Sequence, residues 1–340
     1  METIEVPDPI SGGLMLSYRC TARCRHCMYG CSPDWNDDWM DPSTLRQGLS
    51  GLAERIVPAP RGRDTVELHH GLHFTGGEPF LNFELLCQAV EMAEEAGIPS
   101  TFVETNCFWA RDEAETHRKL RRLRELGLKG IMISVNPFYA EHVPFERTQR
   151  AIQEGLKVFE RQVMVYQQSY YQQFRSMGLT GTLPLQDYLK KVGKEGLTRR
   201  VEMLLMGRAA RELRMLYPHR PADAFFDGRC KPAALRPWHN HFDNYGNYLP
   251  GYCAGISLGN WLELDAVLEN GIDPEEKPVL AAVLQNDLEA LLELSRDEGY
   301  ETREEGYVSR CDLCLDARKH LAENGDYAEL RPMEFYRQID

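Results

Sequence analysis

The chain has no apolar run near 18 residues, the length at which a helix can cross a bilayer. Nor does it begin with a basic stretch followed by an apolar core, the form of a secretory leader. These absences set the expectation of a cytoplasmic protein that neither spans a membrane nor is exported. Basic charge is the scarcer kind. The 39 Lys and Arg stand against 52 Asp and Glu, a net charge of −13, and no extended run of Lys or Arg gathers what there is. That balance speaks against broad binding to a nucleic-acid backbone, which needs clustered cations. The 340 residues, 43% hydrophobic and 27% charged, suffice for a sizeable core in two or three domains, or in one large domain with an appendage. Cysteine, by contrast, is plentiful. Ten cysteines in a chain expected inside the cell point to metal binding or catalysis before disulfides.

Three of them, Cys20, Cys24 and Cys27, form a C-x-x-x-C-x-x-C run just after an apolar, strand-like stretch. A run that tight can curl three thiolates around one face of an iron–sulfur cube. Such cubes are normally held by four thiolates, so one iron would be left open to a small molecule. A zinc site completed from elsewhere and buried structural thiols are the alternatives. A second signal is Leu72-His-Phe-Thr-Gly-Gly-Glu-Pro79, a short strand running into a Gly76-Gly77-Glu78-Pro79 turn. Its glycines permit a close backbone approach, and its backbone groups could hold the ammonium or carboxylate of an amino-acid ligand.

Together the two motifs resemble the radical S-adenosylmethionine (SAM) superfamily, over roughly residues 12 to 210. The resemblance implies a partial (β/α)6 TIM-like barrel. It also implies a [4Fe-4S] cluster on Cys20, Cys24 and Cys27 that binds SAM, and reductive cleavage of SAM to a 5′-deoxyadenosyl radical that abstracts hydrogen from a substrate C–H bond. A one-electron donor such as flavodoxin or ferredoxin would drive it.

The residue pattern supports the same α/β fold. Short apolar runs at 14–18, 71–75, 101–105, 131–135, 163–166 and 201–206 alternate with amphipathic helices, the βα repeat of a parallel sheet. Asp41-Pro42 opens one helix, Asn82 a second, and Gly127 closes a third. In barrel enzymes the chemistry sits at the carboxyl ends of the strands. That rule nominates Thr105, Asn106, Ser134 and Asn136 for SAM's ribose and carboxylate, with helix capping as the alternative for Thr105 and Ser134. It places Cys107 as a hydrogen donor or an inert thiol. By resemblance, His26 lies where an aromatic group meets adenine. Gly207-Arg208-Ala209 is similar to a segment that follows the last barrel strand in many members, and Arg208 could meet SAM's carboxylate or a surface carboxylate.

The expected domains are a segment 1–13, the barrel 14–210 and a cysteine-rich region 211–340. That last region carries Cys230, Cys253, Cys311 and Cys314, the full ligand set for a second cluster or a structural zinc. It resembles the SPASM/twitch extensions that hold auxiliary clusters, but with too few cysteines for two. One auxiliary [4Fe-4S] cluster is the expectation, zinc its rival. Cys31 is left as a stray thiol, donor or spare ligand, and Cys87 as helix packing. The His239 and His241 pair is expected to be ordinary loop histidines. The substrate would be a peptide or a small molecule, modified by an oxidoreductase or maturase. The short stretch before the first strand sets the further expectation that no leader-binding domain is fused here. An RNA-modifying enzyme and a non-enzymatic electron-transfer protein are the other classes. The acidic charge speaks against the first and the GGEP turn against the second.

Overall fold

Runs such as Gly130-Ile-Met-Ile-Ser134 suit a parallel strand because apolar side chains fall on both faces. The structure, a computed structural model, describes residues 2–199, 203–227 and 230–340. It divides into two units. The sheet unit comprises Ile10–Cys24 and Cys31–Met203; the second comprises Met1–Pro9, Arg25–Gly30 and Leu204–Asp340.

The sheet unit holds strands β1 (Ser11–Met15), β2 (Gly71–Thr75), β3 (Phe102–Thr105), β4 (Gly130–Ser134) and β5 (Val163–Tyr166). All pair in parallel, in the order β5-β4-β3-β2-β1. Helices α1 (Pro42–Ala53), α2 (Phe83–Glu95), α3 (Glu113–Glu125), α4 (Pro137–Ala140), α5 (Phe145–Phe159), α6 (Gln168–Ser176) and α7 (Leu185–Thr198) connect and cover them. The class is therefore α/β with an open parallel sheet, as expected. The register sorts side chains cleanly. Leu14, Phe74, Val103 and Ile131 share one face and are wholly buried. On that face Gly155 of α5 lets Val163 and Ile131 approach. His73, Thr75, Glu104, Met132 and Ser134 line the other, so the polar side chains of β2 to β4 lie mostly on that side, Thr105 being the exception.

Helix starts follow their caps. Asp41 accepts from Ser43 N and Thr44 N, both at 3.0 Å, and Asn82 from Leu85 N at 3.1 Å. Gly127, just past α3, takes φ +110°. Two strands differ from expectation. β1 lies three residues earlier than the apolar run 14–18, because Ser11-Gly12-Gly13 pair with Gly71-Leu72-His73 despite their turn-like composition. Val201 and Glu202 of the sixth expected strand lie outside the described residues, and Met203–Met206 form no strand. Leu204 is exposed and Met206 N turns back to Leu204 O, so this apolar run has no ladder partner.

The second unit contains α8 (Ala209–Glu212), α9 (Lys231–Ala234), the hairpin β6 (Asn240–Phe242) and β7 (Tyr248–Leu249), then α10 (Leu264–Asn270), α11 (Pro278–Gln285), α12 (Leu288–Asp297), α13 (Arg310–Asn324) and α14 (Met333–Gln338). Asp243 shapes the hairpin turn by accepting from Tyr245 N and Asn247 N. No helix among the described residues is long and apolar enough to cross a membrane.

Lys277 gives α11 no side-chain cap, and a distant residue does the work instead. Buried Glu329 accepts from Val279 N at 3.0 Å and Leu280 N at 3.4 Å. Glu329→Ala strands both donors in an apolar setting and is expected to cost about 2 kcal/mol, read by urea denaturation. A change under a few tenths of that would show that water replaces the cap.

Candidate active site and metal centre

The cysteine loop leaves β1 under tight restraint. Tyr18 stacks on Trp35 with centroids 4.3 Å apart, Arg19 Nη1 donates to Trp35 O, and Cys20 N donates to Ser32 O. The Gly76-Gly77 turn runs beside it. Gly77 N donates to Ser17 O at 2.8 Å and Glu78 N to Arg19 O at 3.0 Å. A Cβ on Gly76 would lie 2.3 Å from Ser17 O, and one on Gly77 1.9 Å from Arg19 O. These glycines are therefore needed for the approach of one loop to another. The N–H groups of Gly77 and Glu78 are spent on that pairing, which corrects the reading that they could hold a ligand carboxylate.

Glu78 is buried, and its carboxylate accepts from Phe80 N, Thr105 Oγ1 and Asn106 N, the last at 2.8 Å. It ties the end of β2 to the end of β3. Burial raises its pKa from 4.5 to about 7, against the pull of those donors. Thr105 is consumed in the same network, accepting from Cys107 N and Trp109 Nε1 while donating to Glu78. Its hydroxyl therefore serves the fold, not a ribose. Asn106 turns its Nδ2 toward Thr21 Oγ1 at 3.1 Å and Cys20 Sγ at 3.7 Å. The side chain nominated for SAM thus reaches a proposed cluster ligand. Asn136 spends its Oδ1 on Phe138 N and Tyr139 N, capping α4, whereas Ser134 ends β4 on the polar face. Cys107 is wholly buried at φ +69°, and its thiol is held far above its ordinary pKa by burial and then by Glu78. It has no surface from which to donate hydrogen. Pro79 begins a short 3₁₀ turn behind Glu78. Cys31 and Cys87 are buried as well, and burial pushes the Cys87 thiol up to about 11.

Sequence reasoning missed the polar face itself. Thr75 Oγ1 donates to Glu104 Oε2 at 2.7 Å, and His73 Nε2 lies 3.4 Å from Glu104 Oε1. Burial lifts Glu104 from 4.5 to about 7. A His and a Glu two apart from other polar positions on adjacent strands were the available signal.

The segment Arg25–Gly30, with His26 and Cys27, belongs to the second unit. Arg208 N donates to Cys27 O at 3.0 Å, Arg25 pairs with Glu212 at 2.7 Å, and Tyr29 OH meets His241 Nδ1 at 2.8 Å. His241 is a buried anchor whose pKa burial drives well below the ordinary value. Gly207, at φ +54°, leaves no room for a Cβ, which would lie 2.2 Å from Met28 O. Arg208 is fully buried and donates to Gly30 O and Gln338 O. These bonds clamp backbone. His26 is half-buried.

Cys230, Cys253, Cys311 and Cys314 line one cavity of about 40 Å³ with Arg310 and Arg318. Cys230 opens α9, Cys253 follows the hairpin, and Cys311 and Cys314 share a face of α13 whose first turn Ser309 caps. The volume is far below that of a substrate pocket. All ten cysteines are free. Burial raises Cys253 to about 11, and burial with the neighbouring thiols Cys253, Cys314 and Cys230 lifts Cys311 still higher. Four thiols that oppose one another's ionisation suit a metal, whose charge reverses that opposition. A single zinc would hold sulfurs about 3.8 Å apart.

The Radical SAM superfamily model matches residues 14–161. That region is similar to a radical SAM domain. A radical SAM domain implies a [4Fe-4S] cluster that binds SAM, and the free thiols Cys20 and Cys24, with Asn106 reaching Cys20, fit that group. The chain is 23% identical over 142 residues to YydG of Bacillus subtilis (strain 168), a protein named for peptide biosynthesis. The match spans 42% of this chain and 40% of that relative's length. Among solved structures, BtrN in complex with AdoMet and 2-DOIA is 15% identical with a TM-score of 0.40, covering 78% of this chain and 84% of that one. Native anSMEcpe with bound AdoMet is 12% identical with a TM-score of 0.45, covering 97% and 100%.

The raised carboxyls fix a sign. Unfolded Glu78 loses its proton near 4.5 while the folded chain keeps it to about 7, and Glu104 behaves alike. Stability from both groups is therefore full below pH 4.5 and falls as pH rises toward 7. Glu78→Gln should flatten that fall by about half, on the order of 3 kcal/mol at most. Urea denaturation at both ends of the window measures it, and an unchanged slope would contradict the assignment.

Proposed function

We propose that the protein is a radical SAM enzyme that oxidises a peptide or forms a bond within it, with a second [4Fe-4S] centre taking part. The observation that carries the peptide reading is the likeness of its radical SAM region to YydG, named for peptide biosynthesis. Held by Cys20, Cys24 and Cys27, a [4Fe-4S] cluster with bound SAM supplies one-electron cleavage to a 5′-deoxyadenosyl radical, the electron coming from a flavodoxin- or ferredoxin-type donor.

The chain's own part is to position and to exclude. Asn106 donates toward Cys20 and so helps set that ligand's orientation. Because Gly77 N and Glu78 N are already bonded, the Gly76–Pro79 turn presents carbonyl oxygens, which suit SAM's ammonium. Ser134 offers a hydroxyl at the end of β4, and His26 an imidazole beside Cys27 for the adenine. Glu104, held by Thr75 and His73, is the carboxyl on this sheet face that could accept from a peptide's amide. Cys230, Cys253, Cys311 and Cys314 would hold the second group. That suits an oxidation, since a substrate radical must surrender one electron to become a closed-shell product.

Anaerobic reconstitution should give about eight irons per chain. Dithionite should then drive SAM to 5′-deoxyadenosine in the wild type and not in the Cys20/Cys24/Cys27 triple alanine variant. Incubation with extract from cells grown in deuterated medium should place deuterium in 5′-deoxyadenosine when the peptide fraction is supplied. Label arising only from the small-molecule fraction would overturn the peptide reading, and cleavage that survives in the triple variant would overturn the radical assignment.

A further inference from the structure

Arg318 is a buried cation for which the described residues supply no carboxylate. Its side chain is 6% exposed. Nη1 donates to Ala254 O at 3.0 Å and to Tyr336 OH at 3.2 Å, whereas Nε is buried without a hydrogen-bond partner. An unpaired guanidinium and an unsatisfied donor are both costly away from water, so a site that keeps them needs an anion there. The residue stands seven positions after Cys311 and four after Cys314 on α13, which puts all three on one helix face, and it lines the cavity with the four cysteines. A neighbour behaves similarly. Arg310 Nε already donates to Cys230 Sγ at 3.1 Å, and three further bonds go to Phe225 O, Phe226 O and Asn286 O. Arg318 differs in that its Nε is buried and not yet bonded.

We propose that Arg318 is the counter-charge and sulfur hydrogen-bond donor of the metal group held by Cys230, Cys253, Cys311 and Cys314, and that it raises that group's reduction potential. The inference rests on reading those four cysteines as iron–sulfur ligands. Net charge and hydrogen bonds to the sulfurs are among the factors that set such potentials. A fixed positive charge in a water-poor cavity favours the more negative, reduced state, and low local polarity strengthens the effect. Arg318 is thereby a positioning and tuning residue that makes the second centre a better electron acceptor.

The test uses the full chain carrying Cys20, Cys24 and Cys27 as alanine, so that only the second group can assemble. After anaerobic reconstitution, iron is counted and the midpoint potential read by a redox titration followed by paramagnetic resonance. Arg318→Gln should retain about four irons and move the midpoint to lower potential, with Arg318→Lys between it and the parent. Iron lost in Arg318→Gln and regained in Arg318→Lys would also support the proposal, because only the charge is returned. An unchanged midpoint with full iron in Arg318→Gln would overturn it, as would iron lost from both variants, which would make the arginine a structural clamp. No iron in the parent would instead overturn the second-cluster reading itself.

Discussion

The sheet unit's site depends on the backbone pairing between two loops, Ser17–Arg19 and Gly76–Glu78. Gly77 N to Ser17 O and Glu78 N to Arg19 O continue the β1–β2 ladder past the ends of the strands. Any side chain at position 76 or 77 would strike a carbonyl oxygen at about hydrogen-bond distance or less, so the ladder can extend only over glycine. Once extended, it delivers Glu78 to a fixed point, from which the carboxylate reaches the start of the next loop at Asn106 N. Asn106 in turn reaches back to Thr21 and Cys20. Three strand ends are thus closed into a ring of hydrogen bonds around one cysteine.

That ring shows why burial and function are separable here. Glu78 and Glu104 sit on neighbouring strands, both lifted by burial to about 7. Glu78 faces donors on all sides and ends as a structural tie. Among the described residues Glu104 meets a hydroxyl and an imidazole, on the polar face of the sheet. A perturbed pKa alone would have ranked them equally; the count of donors around each separates them.

How much of this the sequence disclosed depends on the range of the interaction. The strands 71–75 and 163–166, the caps Asp41 and Asn82, and the stop at Gly127 were legible because each is set by a few adjacent residues. β1 was misplaced because Ser11-Gly12-Gly13 looks like a turn until Gly71-Leu72-His73 is known to lie beside it. Thr105, Asn136 and Arg208 have the right chemistry for a ligand at the right strand or loop ends. In the fold the Thr105 hydroxyl bonds Glu78, the Asn136 Oδ1 caps the first turn of α4, and Arg208 donates to two backbone carbonyls. Polar residue type near a strand end tells what a side chain can bond, and only the fold tells what it has already bonded.

The second unit carries the converse lesson. C-x-x-C was visible at positions 311 and 314, but its setting on a helix was not, and the setting is what recruits Arg318. On a helix, spacings of three and seven bring residues to one face, so the pattern reads C-x-x-C-x-x-x-R. In a loop the same letters would have no fixed relation. The helix therefore converts a two-thiol motif into two thiols and a buried charge that line the same cavity. A buried guanidinium without a carboxylate is tolerable only where the anion is brought in by what binds there. The four thiols beside it would become that anion if a metal core were bound, because coordination deprotonates them.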